Sequence, residues 1–243
     1  MDPQHPAYQA SVDAKYAQVI PGLYADFDAI VGEALQRIGP TDLLVVMSDH
    51  GFASWRRSFN LNTWLRDHGY LAAGGAPGSS GLFPGVDWSR TRAYGLGLNG
   101  LYLNLKGREA TGAVDPAQRE SLLAALSAEL LATIDPATGL AAINKVYRRE
   151  QVYSSAGHDD IAPDLIVGYA KGTRVSDESA LGEFSGEVLT NNMSAWSGDH
   201  CMDPDTVPGI LLTSRALRKP APNLQSLAAA LLAEFGIEGF PKR

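Results

Sequence analysis

The chain is predicted to fold as an α/β domain, with a central, mostly parallel sheet flanked by helices. Short apolar runs rich in Val, Ile and Leu, at 43–47, 165–168 and 210–212, read as strands buried on both faces, the pattern of parallel sheets. Longer segments between them carry apolar side chains at helical spacing. A helix that stops at a turn signal and feeds an apolar strand is the repeating unit of α/β folds.

The first helix is expected over 14–38, with Tyr16, Val19, Ile20, Leu23, Phe27, Ile30, Val31 and Leu35 on its apolar face. It should break or kink near Pro21-Gly22. Gly39-Pro40 then stops it and leads into the strand Leu43-Leu44-Val45-Val46-Met47. Residues 61–70 read as a short helix with Asn60 or Asn62 as cap. The Gly-, Pro- and Ser-rich stretch 74–85 is expected to be a mobile surface loop. Residues 99–105 alternate polar and apolar, as a half-buried strand does. A Leu/Ala helix over 118–134 is entered through Asp115-Pro116. A strand and its exit are expected in 143–152, and an amphipathic helix over 224–235 follows Asn223 as cap.

Composition narrows the function classes. With 243 residues, 45% hydrophobic and 19% charged, the chain can bury a sizeable core. Residues 1–243 are read as one α/β domain. The net charge of -7 argues against a nucleic-acid-binding surface. A phosphorylated substrate remains compatible, because bound cations reverse the local field. The single cysteine, Cys201, excludes an intrachain disulfide and leaves the compartment open. No apolar run reaches the length of a membrane span. Met1-Asp2-Pro3-Gln4-His5-Pro6 carries no signal-peptide pattern.

The chemistry concentrates where the first apolar run ends, in Ser48-Asp49-His50-Gly51. Ligands of open α/β sheets sit outside the carboxyl ends of strands. An Asp-His pair there offers one oxygen and one nitrogen donor, a set suited to zinc or a similar divalent ion. A plain turn, with Asp accepting backbone N–H groups, is the competing reading. The second pair, Gly198-Asp199-His200, favours the metal, and Asp49, His50 and His200 are expected to converge at one end of the sheet. His68 is read as a surface or capping residue and His158 as solvated. Cys201 follows His200 and, on an extended segment, should face away from any site His200 faces. It is read as an inert buried thiol. Trp196 reads equally as a wall of the site or as core. Arg56 and Arg57 read as a solvated face, or as groups that approach an anionic substrate.

Ser48-Asp49-His50-Gly51-Phe52, Ala162-Pro163-Asp164-Leu165-Ile166-Val167-Gly168 and Trp196-Ser197-Gly198-Asp199-His200 resemble the alkaline phosphatase superfamily, and most of all its type I phosphodiesterase/nucleotide pyrophosphatase branch. The resemblance implies hydrolysis of phosphate esters, small molecules or nucleotides, through two divalent ions, commonly zinc, and a Thr or Ser nucleophile. It places Asp49 and His50 at one ion and His200 at the other. It also implies an earlier Asp, the nucleophile and an Asp-x-x-x-His pair ahead of Asp49. Asp2-Pro3-Gln4-His5 has a different spacing, and Thr41, which begins the strand, is poorly placed to attack.

By this reading the chain is the C-terminal part of a catalytic domain, its N-terminal part and nucleophile lying upstream of residue 1. Residues 1–243 alone are then expected to be nearly inactive. The alternatives are a catalytically inactive α/β binding module or truncated product, and a phosphoglycerate mutase-like or sulfatase-like relative on the same fold.

Overall fold

A computed structural model describes residues 2–74, 81–153 and 160–239. The structure is mixed α/β and divides into two compact units, Gln9–Gly51 with Pro208–Arg243 and Asp2–Tyr8 with Phe52–Val207. Residues 75–80 of the expected loop, and His158, lie outside the described residues.

In the first unit the expected single helix is two, Ala10–Tyr16 and Val19–Arg37. The break falls ahead of Pro21 for a steric reason. Proline has no N–H to offer the carbonyl of Ala17, and its ring excludes that oxygen. Pro21 therefore takes the first turn of a new helix, where N–H groups lack helical partners in any case. Strand Val45–Met47 follows and pairs antiparallel with Leu211–Thr213, Met47 opposite Leu211. The expected buried parallel strand is corrected here, since Met47 and Leu212 are exposed. An unbroken apolar run does not encode its partner's direction, and a two-stranded ribbon is too narrow to bury both faces. The apolar stripe of Val19–Arg37 is likewise exposed at Val19, Ile20, Leu23, Phe27 and Ile30, and no residue of that helix is buried. Helical spacing decides which side chains share a face, not whether that face is covered. Helix Leu224–Glu234 begins as expected, with Asn223 Oδ1 accepting the Ser226 N–H at 3.0 Å.

The second unit holds the larger core. Its main sheet runs Ala93–Leu96, Gly100–Leu103, Leu165–Tyr169, Ile143–Arg148, with every neighbouring pair antiparallel. The alternation read in residues 99–105 is present, with Leu101 and Leu103 fully buried. Leu165 and Val167 join them, as do Leu123, Leu126 and Leu130 from helix Arg119–Leu131. Asp115 and Gln118 form a capping box around the short turn Pro116–Gln118, which leads into that helix. Asn60 does precede helix Leu61–Asp67, but its side-chain amide donates to the Glu187 carbonyl at 2.9 Å instead of capping.

A second sheet orders Thr173–Val175, Arg57–Phe59, Leu189–Asn191. Its first pair is parallel, whereas every other strand pair among the described residues is antiparallel. The three strands expected to share one mostly parallel sheet thus fall in two antiparallel ones. No helix among the described residues is long and apolar enough to cross a membrane.

Gly168, in the central strand Leu165–Tyr169, is required by close approach. A Cβ there would stand 2.3 Å from Asp203 Oδ2 and 3.1 Å from the Lys145 carbonyl oxygen. Asp203 cannot retreat: it is fully buried, accepts the Tyr147 hydroxyl at 2.9 Å, and caps the turn at Pro204–Thr206. Gly168→Ala is therefore expected to cost about 1–3 kcal/mol, the usual range for overpacking. Urea unfolding should show a lower midpoint at unchanged slope. A midpoint equal to the parent's would refute this account.

Candidate metal ligands at two chain turns

Strand Val45–Met47 is extended by Ser48, whose N–H donates to the Ile210 carbonyl at 3.1 Å and whose hydroxyl accepts the Ile210 N–H at 3.0 Å. The chain then turns. Asp49 Oδ1 accepts the N–H of His50 at 3.0 Å, and His50 Nδ1 stands 2.9 Å from the Gly51 carbonyl oxygen. A carbonyl can only accept, so that nitrogen carries the proton and donates. In the neutral ring Nε2 then bears the lone pair, and it lies 3.3 Å from Asp49 Oδ2. Donors bound to one tetrahedral zinc at about 2.0–2.1 Å each stand about 3.3–3.4 Å apart. The pair therefore fits two positions around one ion, with the imidazole oriented by the Gly51 carbonyl as metal-bound histidines commonly are. Asp49 is largely exposed and His50 partly so, which leaves room for further ligands.

The second turn, in the other unit, is built differently. Gly198–Asp199 pairs antiparallel with Ala53–Ser54, and Asp199 is buried. Its Oδ1 accepts the N–H groups of His200 at 2.7 Å and Cys201 at 2.8 Å. The His200 carbonyl accepts the N–H of Met202 at 2.8 Å, so the chain curls tightly over 199–202. The expectation that His200 and Cys201 face opposite sides is corrected by this curl. One ligand atom each from Asp199, His200 and Cys201 lies within 4.8 Å of the others. The alternation rule holds for extended backbone, and an Asp that bonds its own following N–H groups removes that condition.

Electrostatics separates the three. Burial works against ionisation of Asp199, yet the Cys201 N–H and thiol, the His200 N–H and Arg174 hold its carboxyl below the ordinary range. Burial, with the hydrogen bond to Asp199, pushes the Cys201 thiol up to about 11. Cys201 is thus a neutral thiol at pH 7, and the burial expected of it is corrected, since it is only partly buried. His200 is the donor of this turn best placed to meet an ion, its ring partly exposed and 5.4 Å from that of Phe52.

The other candidates are committed elsewhere. His5 is buried, its Nε2 2.9 Å from the Trp55 carbonyl oxygen and its Nδ1 accepting the Ala7 N–H at 3.1 Å, so both nitrogens serve the fold. His68 closes helix Leu61–Asp67, bonds the Trp64 carbonyl at 2.8 Å and stacks on the Trp64 ring. Arg56 pairs with Asp2, and Arg57 grips the buried Asp135 through two nitrogens at 2.7 and 2.9 Å. Arg57 is thus a buried clamp, whereas Arg56, partly exposed, ties down Asp2 at the surface. Trp196 is exposed and so is not core. The sequence reading missed Arg174, which stands beside Asp199, and Trp55, which packs on Arg174 with its ring centroid 4.1 Å from the guanidinium. Nothing in their spacing marks them, because the fold alone brings the three together.

A family model described as Type I phosphodiesterase / nucleotide pyrophosphatase matches residues 7–197. The matched span contains Asp49 and His50 and ends just before Asp199 and His200. No curated protein and no solved structure matches the chain.

Proposed function

The chain belongs to the type I phosphodiesterase / nucleotide pyrophosphatase family, and from that membership we propose that it acts as a metal-dependent hydrolase of phosphodiesters or nucleotides, with Asp49 and His50 as ligands of one divalent ion and His200 as a ligand of another. The ions are zinc or a close equivalent, given the mix of carboxylate and imidazole donors. The observation that carries the reading is the Asp49–His50 geometry. The ring proton is directed to Gly51, and the lone-pair nitrogen sits one coordination edge from a carboxylate oxygen. When bound, divalent ions polarise the phosphoryl oxygens and stabilise the attacking and leaving oxygens of an in-line displacement.

The residues of this chain orient that chemistry. Gly51 fixes the His50 ring, and the Asp199 turn fixes the backbone that carries His200. The net charge of -7 gives the surface no general attraction for a phosphate ester, so recognition of an anionic substrate depends on local positive charge. Three side chains do not complete two coordination shells, and further ligands and a nucleophile are required from other residues.

The test is hydrolysis of a nitrophenyl phosphodiester by the protein in its full translated form. Turnover should be abolished by a chelator and restored by zinc. Chelator-insensitive turnover, or none after zinc is restored, overturns the reading.

A further inference from the structure

We infer that Arg174 is a positioning residue for His200, acting through Asp199, and that Asp199 is the organiser of its turn instead of a third metal ligand. The inference rests on the reading of His200 as a ligand. Arg174 leaves strand Thr173–Val175, and its side chain is almost wholly buried. One face of the guanidinium lies over Trp55. Nη1 donates to Asp177 Oδ1 at 2.8 Å and to the Val175 carbonyl at 3.1 Å. Nε stands 2.9 Å from Asp199 Oδ2, a close charge contact without hydrogen-bond alignment. A planar cation held by an aromatic face, a carboxylate and a backbone carbonyl has little freedom to move.

That rigidity passes to Asp199. Oδ2 faces the guanidinium while Oδ1 receives two backbone N–H groups. A cation approaching this carboxylate would have to displace Arg174 or forfeit both N–H bonds, each of which opposes ligation. The His200 ring has a different relation to it, its Nδ1 3.8 Å from Asp199 Oδ1. The carboxylate thus spends its oxygens on the backbone of 199–201 and so aims the side chain that follows. Outer-shell partners of this kind usually change metal affinity by about 10–100-fold when removed.

The two roles for Asp199 predict opposite signs. Arg174→Met keeps an apolar stem against Trp55 and removes the charge. If Arg174 positions His200, zinc affinity measured by calorimetry against a competing chelator should fall about 10–100-fold. The proton shifts of the His200 ring, set in part by the Phe52 ring current, should move while far-ultraviolet circular dichroism stays unchanged. Tighter zinc binding would mean that Asp199 is a ligand released from its competitor, and overturns the inference. Unchanged affinity with unchanged His200 shifts overturns it too.

Asp199→Asn retains an acceptor for both N–H groups and should bind zinc better than Asp199→Ala. Equal loss in those two variants counts against a positioning role. This pair decides the matter if Arg174→Met does not fold. If His200→Ala binds zinc as the parent does, the ligand reading of His200 fails. The ring shifts still decide whether Arg174 holds that side chain, with displacement supporting it and constancy refuting it.

Discussion

Asp164→Ala is expected to destabilise the Phe52–Val207 unit by about 3–5 kcal/mol, the usual cost of removing one partner from a buried ion pair. Asp164 is fully buried at the head of strand Leu165–Tyr169. Its Oδ2 accepts the Leu103 N–H at 2.9 Å and an Arg108 nitrogen at 2.7 Å, and its Oδ1 lies 3.2 Å from Arg119 Nε. One carboxylate therefore joins two strands of the main sheet and the first turn of helix Arg119–Leu131. Burial opposes the charge of Arg108, and Asp164 together with Glu109 outweighs that penalty. Alanine would leave a buried N–H without its acceptor and strip the one wholly buried counter-ion from two arginines, leaving Arg108 with Glu109 and Arg119 with Glu120 and Glu150. Typical domains are stable by only about 5–15 kcal/mol, so the loss is a large share of the whole. Asp164→Asn keeps an oxygen for Leu103 and should cost less than alanine. Urea unfolding of both variants checks this, and a loss below about 1 kcal/mol for alanine would refute it.

Asp164 also shows what the sequence can carry. It stands in one of the three stretches that resemble the family, and the family model confirms the resemblance. Its contacts nevertheless belong to folding: a pattern names a family without saying which of its residues do chemistry.

Features fixed by a few neighbouring residues were legible. The caps at Asp115 and Asn223 and the burial alternation of Gly100–Leu103 follow from local hydrogen bonding and the two-residue period of a strand. The break ahead of Pro21 was legible to within a turn, because proline forbids a bond four residues back without naming the last helical residue. Sheet direction was not legible. Val45–Met47 and Leu165–Tyr169 both read as buried parallel strands, yet each is antiparallel to its neighbours. Nor was the commitment of Arg56, Arg57 and Arg174 to Asp2, Asp135 and Asp199, acids that lie far away in the chain. A charged side chain looks solvated until the fold supplies an acid beside it.

His50→Ala is expected to lower the affinity of its site for zinc by more than the roughly 100-fold at the upper end of outer-shell effects, because a coordinating atom is lost outright. His68→Ala, measured by the same calorimetric titration, should stay within about threefold of the parent. The two histidines make a close control. Each directs Nδ1 to a backbone carbonyl, Gly51 for His50 and Trp64 for His68, so each presents Nε2 with the lone pair when neutral. They differ in what stands beside that nitrogen. His50 Nε2 has Asp49 Oδ2 at 3.3 Å, whereas among the described residues no ion pair reaches His68, whose ring lies flat on Trp64. Metal affinity follows the number and charge of donors brought together, not the presence of an imidazole alone. Asp49→Asn should accordingly fall between the two, since it keeps an oxygen in place and loses the charge. Equal loss in His50→Ala and His68→Ala would mean that zinc binds wherever a histidine is accessible, and the assignment of Asp49 and His50 would fall.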